Sequence, residues 1–153
     1  MTTYDLLGIG NAIVDVLARC DDPFIAHHGL NKGTMTLIDA ARAATLYAAM
    51  PPAVEVSGGS AANTMAAFAS LGGRGAFIGK VADDQLGQVF RHDIRAAGVA
   101  FDTPPANGGA PTARCLILVT PDAQRTMNTF LGACVALSEA DVDEASVSAA
   151  SVT

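Results

Sequence analysis

Two short stretches carry side chains whose types and spacing suit a polyhydroxylated ligand. In Val56-Ser57-Gly58-Gly59-Ser60-Ala61-Ala62-Asn63-Thr64, consecutive glycines break a strand just before a small-residue helix, predicted from Ser60 to Leu71 and stopped by Gly72-Gly73. Glycines ahead of a helix remove the Cβ atoms that would hold a ligand away from backbone N–H groups. Asn63 follows Gly59 by four residues and shares its face. Its amide both donates and accepts, as hydroxyl groups require. Read alone, the segment serves equally as a glycine turn before a buried alanine-rich helix. Upstream, Gly8-Ile9-Gly10-Asn11-Ala12-Ile13-Val14-Asp15 adds a second amide and a carboxylate. A carboxylate can accept from two vicinal hydroxyls at once, which suits a ribose diol. The structural alternative for Asp15 is a buried cap at a strand end. Arg125, just after a turn, offers a fork to a phosphate or a partner to a surface acid.

Strands and helices alternate around these residues. Leu6 to Ile9 reads as a buried strand ended by Gly10-Asn11, and Val14 to Ala18 as a second extended stretch. Pro23 to Gly29 contains a short helical turn, and Asn31-Lys32-Gly33 turns into a strand from Thr34 to Ile38. Asp39 N-caps a helix from Ala40 to Met50 that Pro51-Pro52 ends, and Val54 to Val56 is a short strand. In the next helix Ala61, Met65, Phe68 and Gly72 recur at helical spacing and are expected to face the core. A strand over Ala76 to Val81 precedes a helix from Asp84 to Ala97, with Asp83 as N-cap and Gly98 as stop. Asp83-Asp84 at a helix start reads as capping rather than an acid–base pair, and Lys80 as structural rather than a phosphate ligand. Phe101 to Pro111 is a loop; Arg114 to Thr120 and Arg125 to Leu131 form a hairpin about Pro121-Asp122-Ala123-Gln124. Ser138 N-caps a last helix from Glu139 to Ala150, and Ser151-Val152-Thr153 begins another strand. The alternation predicts an α/β layered fold.

The glycine-pair segment and the Gly8 to Asp15 segment together resemble the PfkB family of small-molecule kinases, the ribokinase, fructokinase and adenosine kinase group. The resemblance continues through Phe77-Ile78-Gly79-Lys80-Val81-Ala82-Asp83-Asp84-Gln85-Leu86-Gly87 and Arg125-Thr126-Met127-Asn128-Thr129-Phe130-Leu131-Gly132-Ala133, in the expected order. It implies a ribokinase-like three-layer α/β fold with a small β-sheet lid, built from strands within residues 15–38 and 101–131. It also implies ATP-dependent phosphorylation of a hydroxyl on a sugar or nucleoside. Asn11 and Asp15 match the pair that grips ribose hydroxyls in adenosine kinase-like members; Gly58, Gly59 and Asn63 match the sugar-binding glycines and asparagine. Arg125 matches an arginine that reaches the transferred phosphate. The family's Gly-Ala-Gly-Asp stretch, which carries the catalytic aspartate and the anion hole, is absent: none of Gly75-Ala76, Gly109-Ala110 and Gly132-Ala133 is followed by Gly-Asp. The expectation is therefore a substrate-binding N-terminal part of a longer kinase, with no catalytic residue of its own. ATP, Mg²⁺ and a monovalent cation as a further candidate are implied by the resemblance, with their sites mostly elsewhere. A homodimer formed through the lid is a further expectation.

Composition narrows the alternatives. A chain of 153 residues can bury one core, and its 50% hydrophobic and 16% charged content is opposite to a disordered composition. A net charge of −6 with scattered Lys and Arg argues against nucleic-acid binding. Cys20, Cys115 and Cys134 lack a Cys-x-x-Cys pair and read as structural thiols; adjacent His27 and His28 diverge and do not make a metal site. The N-terminus has no basic region ahead of an apolar run, and no membrane span is expected, which predicts a cytoplasmic protein. Gly8-x-Gly10 invites a dinucleotide fingerprint but meets Ile13 at its third glycine position. The remaining rival is non-catalytic: a truncated product that binds a sugar or nucleoside, or only associates through its lid.

Overall fold

The computed structural model describes residues 3–153; Met1 and Thr2, part of the stretch read for a leader, lie outside the described residues. The chain builds two sheets. The first is four-stranded and parallel, in the order β6 (Val99–Ala100), β5 (Gly75–Ile78), β1 (Tyr4–Ile9) and β9 (Ala150–Val152). Helices α3 (Ser60–Ser70) and α4 (Gln85–Ala96) cover one face of it, where Met65, Phe77, Phe90, Ile94 and Phe101 share one core. The segment ending in α5 (Glu144–Ser148) covers the other face, with Leu137 and Val147 against Leu7 and Ile78. That is the three-layer arrangement expected.

The second sheet has five strands in the order β3 (Met35–Leu37), β8 (Arg125–Phe130), β7 (Ala113–Val119), β2 (Ile13–Arg19) and β4 (Val54–Gly58). Its inner face, Val14, Val16 and Leu116, joins the same core as α4 and Leu46 of α2 (Ala40–Ala49). Helix α1 (Asp22–His27) closes one end with Ile25 against Ala18 and Leu118. Among the described residues no helix is long and apolar enough to cross a membrane.

Several expectations change in detail. Helix α4 is capped by Asp84, not Asp83: Asp84 is extended and its Oδ1 accepts from the Gly87 N–H at 2.8 Å, while Asp83 is exposed. The single helix expected over Glu139 to Ala150 is broken. Ser138 and Asp141 form a reciprocal cap around one 3-10 turn, Asp143 then caps α5, and Ala150 already pairs with Tyr4 in β9. Side chains that bond their own nearby amides compete with helix propagation, and three such residues lie within six positions here. On α3 the buried positions are Ala62 and Met65; Ala61 and Phe68 only flank the core, and Gly72 is exposed beyond the helix end. Strand β5 ends at Ile78, and the short strand β6 has no counterpart in the sequence reading. Lys80 does take a structural role, pairing with Asp141 where both side chains are nearly buried.

Asp84 does more than cap. Its carboxylate also accepts from the Thr112 N–H at 2.9 Å and from the Thr112 hydroxyl at 2.6 Å, and Thr112 is fully buried at the root of β7. Burial pulls its carboxyl up, but the Thr112 hydroxyl and the amides of Thr112 and Gly87 outweigh it and hold the group below the ordinary carboxylate value. Asp84→Ala should therefore destabilise the chain by about 2–3 kcal/mol in urea unfolding at pH 7, combining a lost cap with a stranded buried amide. A carboxyl lowered in the folded state contributes stability above its unfolded pKa. The gap to wild type should close only as pH falls through the lowered value, below the ordinary one.

Candidate functional site

Open α/β sheets bind ligands beyond the carboxyl ends of their strands, and the two motifs meet at that end of β1. The chain leaves β1 through Gly10-Asn11 and enters β2, while β4 runs antiparallel to β2 and delivers Gly58 opposite Ile13. The next residue, Gly59, has φ +96° and opens α3 without any side-chain cap. Asn63 lies exposed in the first turn, its N–H bonded to the Gly59 carbonyl at 2.8 Å. A Cβ on Gly58 would overlap the Asp15 carboxylate, and one on Gly59 would stand 2.5 Å from the Asn11 carbonyl oxygen. The glycine pair is thus required by how closely β4 passes Asp15 and Asn11. Asn11, Asp15, Gly58, Gly59 and Asn63 are brought together.

Asp15 is half-buried, and no hydrogen bond or ion pair reaches it from the described residues; burial alone pushes its carboxyl up. A carboxylate taken partly out of water without a partner is unfavourable in a purely structural role. Register shows its surroundings. Across the open face of the second sheet, Leu37, Thr129, Cys115, Asp15 and Val56 lie in one cross-strand row. The row beyond it is Met35, Met127, Ile117, Leu17 and Val54. This face is mostly apolar and open at its edges, where Leu37 is 60% exposed, Met35 56% and Val54 67%, while Cys115, Ile117 and Thr129 at its centre are buried. Thr129 Oγ1 lies 3.2 Å from Cys115 Sγ, and burial above all, with the nearby Asp15 charge, raises the Cys115 thiol.

Arg125 is not part of this cluster. It starts β8 opposite Val119, two rows beyond Asp15, or roughly 13 Å along the strands. Cys115 and Val56, which flank Asp15, and Thr129 and Leu37, farther along its row, escaped the sequence reading. The alternation of Ile13, Asp15 and Leu17 with buried Val14 and Val16 was the available signal for one open face; the partners on other strands had none. Among the described residues no group of three or more His, Cys, Asp or Glu gathers as ligands for a metal ion.

A family model described as pfkB family carbohydrate kinase matches residues 34–152. The crystal structure of adenosine kinase from Sinorhizobium meliloti is similar to this chain with TM-score 0.88 and 60% identity, over 97% of this chain and 45% of that one. A probable sugar kinase protein from Rhizobium etli CFN 42 superposes with TM-score 0.89 and 53% identity, over 98% and 46%. Probable fructokinase-4 of Arabidopsis thaliana is 35% identical over 80 residues, 49% of this chain and 23% of that protein. The chain spans under half the length of these relatives.

Proposed function

The chain belongs to the pfkB family of carbohydrate kinases and has a ribokinase-like α/β fold, and from that premise we propose that it supplies the acceptor-binding part of an ATP-dependent kinase acting on a hydroxyl of adenosine or a close nucleoside. The observation that carries this reading is the placement of Asp15. It is a half-buried carboxylate with no partner among the described residues, set between Cys115 and Val56 in its row and beside a glycine pair at a helix start. A ribose diol satisfies the carboxylate, and a planar base lies against the apolar side chains next to it, Val56 on the neighbouring strand and Leu17 in the adjoining row. A free sugar would satisfy the first group and leave the second in water. The 60% identity to an adenosine kinase over 97% of the chain supports the nucleoside over the fructose of the plant relatives.

Phosphoryl transfer demands positioning and charge neutralisation more than covalent chemistry. In this reading Asp15 accepts from two vicinal hydroxyls, Asn11 and Asn63 orient the sugar, and Gly58-Gly59 let it approach the uncapped first turn of α3. Arg125 is given the transferred phosphate on the family resemblance alone, since it stands two rows from Asp15. ATP is the donor that family membership implies; Mg²⁺ and a monovalent cation accompany it in the proposal without holders among these residues. The general base and the anion hole are likewise assigned to no residue of this chain, because the Gly-Ala-Gly-Asp stretch is missing from it.

Titration of the 153-residue chain with adenosine and with fructose, followed by calorimetry or NMR, tests the reading. Adenosine should bind more tightly, and the chain alone should form no AMP from adenosine and ATP. Tighter binding of fructose would reassign the acceptor, and AMP above background would mean that the base and anion hole lie within these residues. The exposed edge residues Met35, Leu37 and Val54 favour a second reading, in which this face mates with another copy of the chain as a homodimer. Sedimentation decides it: a dimer that adenosine leaves intact, with no nucleoside bound, favours association.

A further inference from the structure

We infer that Asp93 is a positioning residue for the glycine pair: from helix α4 its carboxylate holds edge strand β4 by the amide of Ser57, the residue directly before Gly58-Gly59. The role in ligand binding rests on the acceptor site proposed above. Strand β4 is the last in the order β3-β8-β7-β2-β4, so it is paired through β2 on one side only. An edge strand presents N–H groups with no ladder partner. Here the Ser57 N–H donates to Asp93 Oδ2 at 3.1 Å, across 36 residues of chain. The other oxygen, Oδ1, lies 3.0 Å from the exposed His92 ring.

The anchor is rigid because α4 belongs to the main core. Phe90 and Ile94 are fully buried against Phe77 and Phe101, and Arg95 donates to the Phe101 carbonyl through Nε and Nη2 at 2.9 and 2.6 Å. The same helix grips the other neighbour of β2, since Asp84 holds Thr112 at the root of β7. The strand that carries Asp15 is therefore flanked by two strands, each tied to α4 by a carboxylate. Asp15 itself gains no such tie. Two consecutive glycines have the largest backbone freedom of any pair, so a charge-assisted bond one residue upstream restricts where they sit relative to Asp15 and Asn63.

Hydrogen exchange of the 153-residue chain at pH 7 tests this in wild type, Asp93→Ala and Asp93→Asn. In Asp93→Ala, amides from Val56 to Asn63 should exchange about tenfold faster, while those of Leu7 and Phe77 keep their wild-type rates. Asp93→Asn retains an oxygen acceptor without the charge and should show an intermediate change of about threefold, confined to the same segment. Adenosine affinity should fall in the same order. Unchanged exchange at Val56 to Asn63, or an equal rise across every strand, would overturn the inference. If Asp93→Ala does not fold, Asp93→Asn decides on the same two criteria. A wild-type chain that binds no adenosine would defeat the nucleoside reading, and the exchange result would still judge Asp93.

Discussion

Asp15→Ala should weaken adenosine binding about tenfold to a hundredfold and leave the chain folded. Loss of a charged hydrogen-bond acceptor typically costs about 1.5–3 kcal/mol of interaction. Among the described residues none hydrogen-bonds or pairs with the carboxylate, so none takes its place. The stability effect should run the other way. Burial raises the Asp15 carboxyl in the folded state, so the ionised form opposes folding at neutral pH. A carboxyl raised on folding contributes stability below its unfolded pKa and loses it as pH rises through the folded value. Asp15→Asn should therefore melt above wild type at pH 7, and the difference should vanish once pH falls below the ordinary carboxylate range. Equal affinity in Asp15→Ala would remove Asp15 from the site. A lower melting temperature in Asp15→Asn at pH 7 would mean that the carboxylate has a structural partner.

Gly59→Ala should be the more damaging of two substitutions in the glycine pair, and the two should fail differently. At φ +96° any residue with a Cβ is strained by about 1–3 kcal/mol. Here the new Cβ would also stand 2.5 Å from the Asn11 carbonyl oxygen, so backbone must shift. The melting temperature should drop by about 2–4 °C for each kcal/mol in a domain of this size, and adenosine binding should fall with it. At Gly58 the obstruction is the Asp15 carboxylate, a side chain that can swing aside. Gly58→Ala should accordingly lose most of its adenosine affinity while melting within a few degrees of wild type. Melting curves and titrations of both variants separate these outcomes. A Gly59→Ala chain that melts as wild type would show that β4 can rearrange without cost.

Much of the site was legible before any coordinates. N-caps and turns are local, and Asp39 and the hairpin around Pro121 act through residues within a few positions of themselves; the glycine pair is legible as a strand break before a helix, although what requires it is the close approach of Asp15 and Asn11 from far upstream. The final helix was misjudged because its competing bonds, Asp141 to Ser138 and Asp143 to Ser146, are as local as the helix pattern and looked like parts of it. Asp83 and Asp84 could not be told apart by position, since both precede the same apolar periodicity; the decision lies with Thr112, 28 residues away.

The sequence by itself determined the family and the alternation of strands and helices, and the family resemblance proposed Asn11, Asp15, Gly58, Gly59 and Asn63 as one ligand-binding set, which the fold brings together. These rest on residue type and on spacings of a few positions. Only the tertiary structure decided that β4 joins the second sheet, that Leu37, Thr129 and Cys115 share a row with Asp15, and that Arg125 stands two rows away. The physical reason is register. Which residues face each other across β3, β8, β7, β2 and β4 depends on how strands far apart in the chain bury Val14, Val16 and Leu116 against α4, and a slip of one residue would turn Asp15 from the open face into that core.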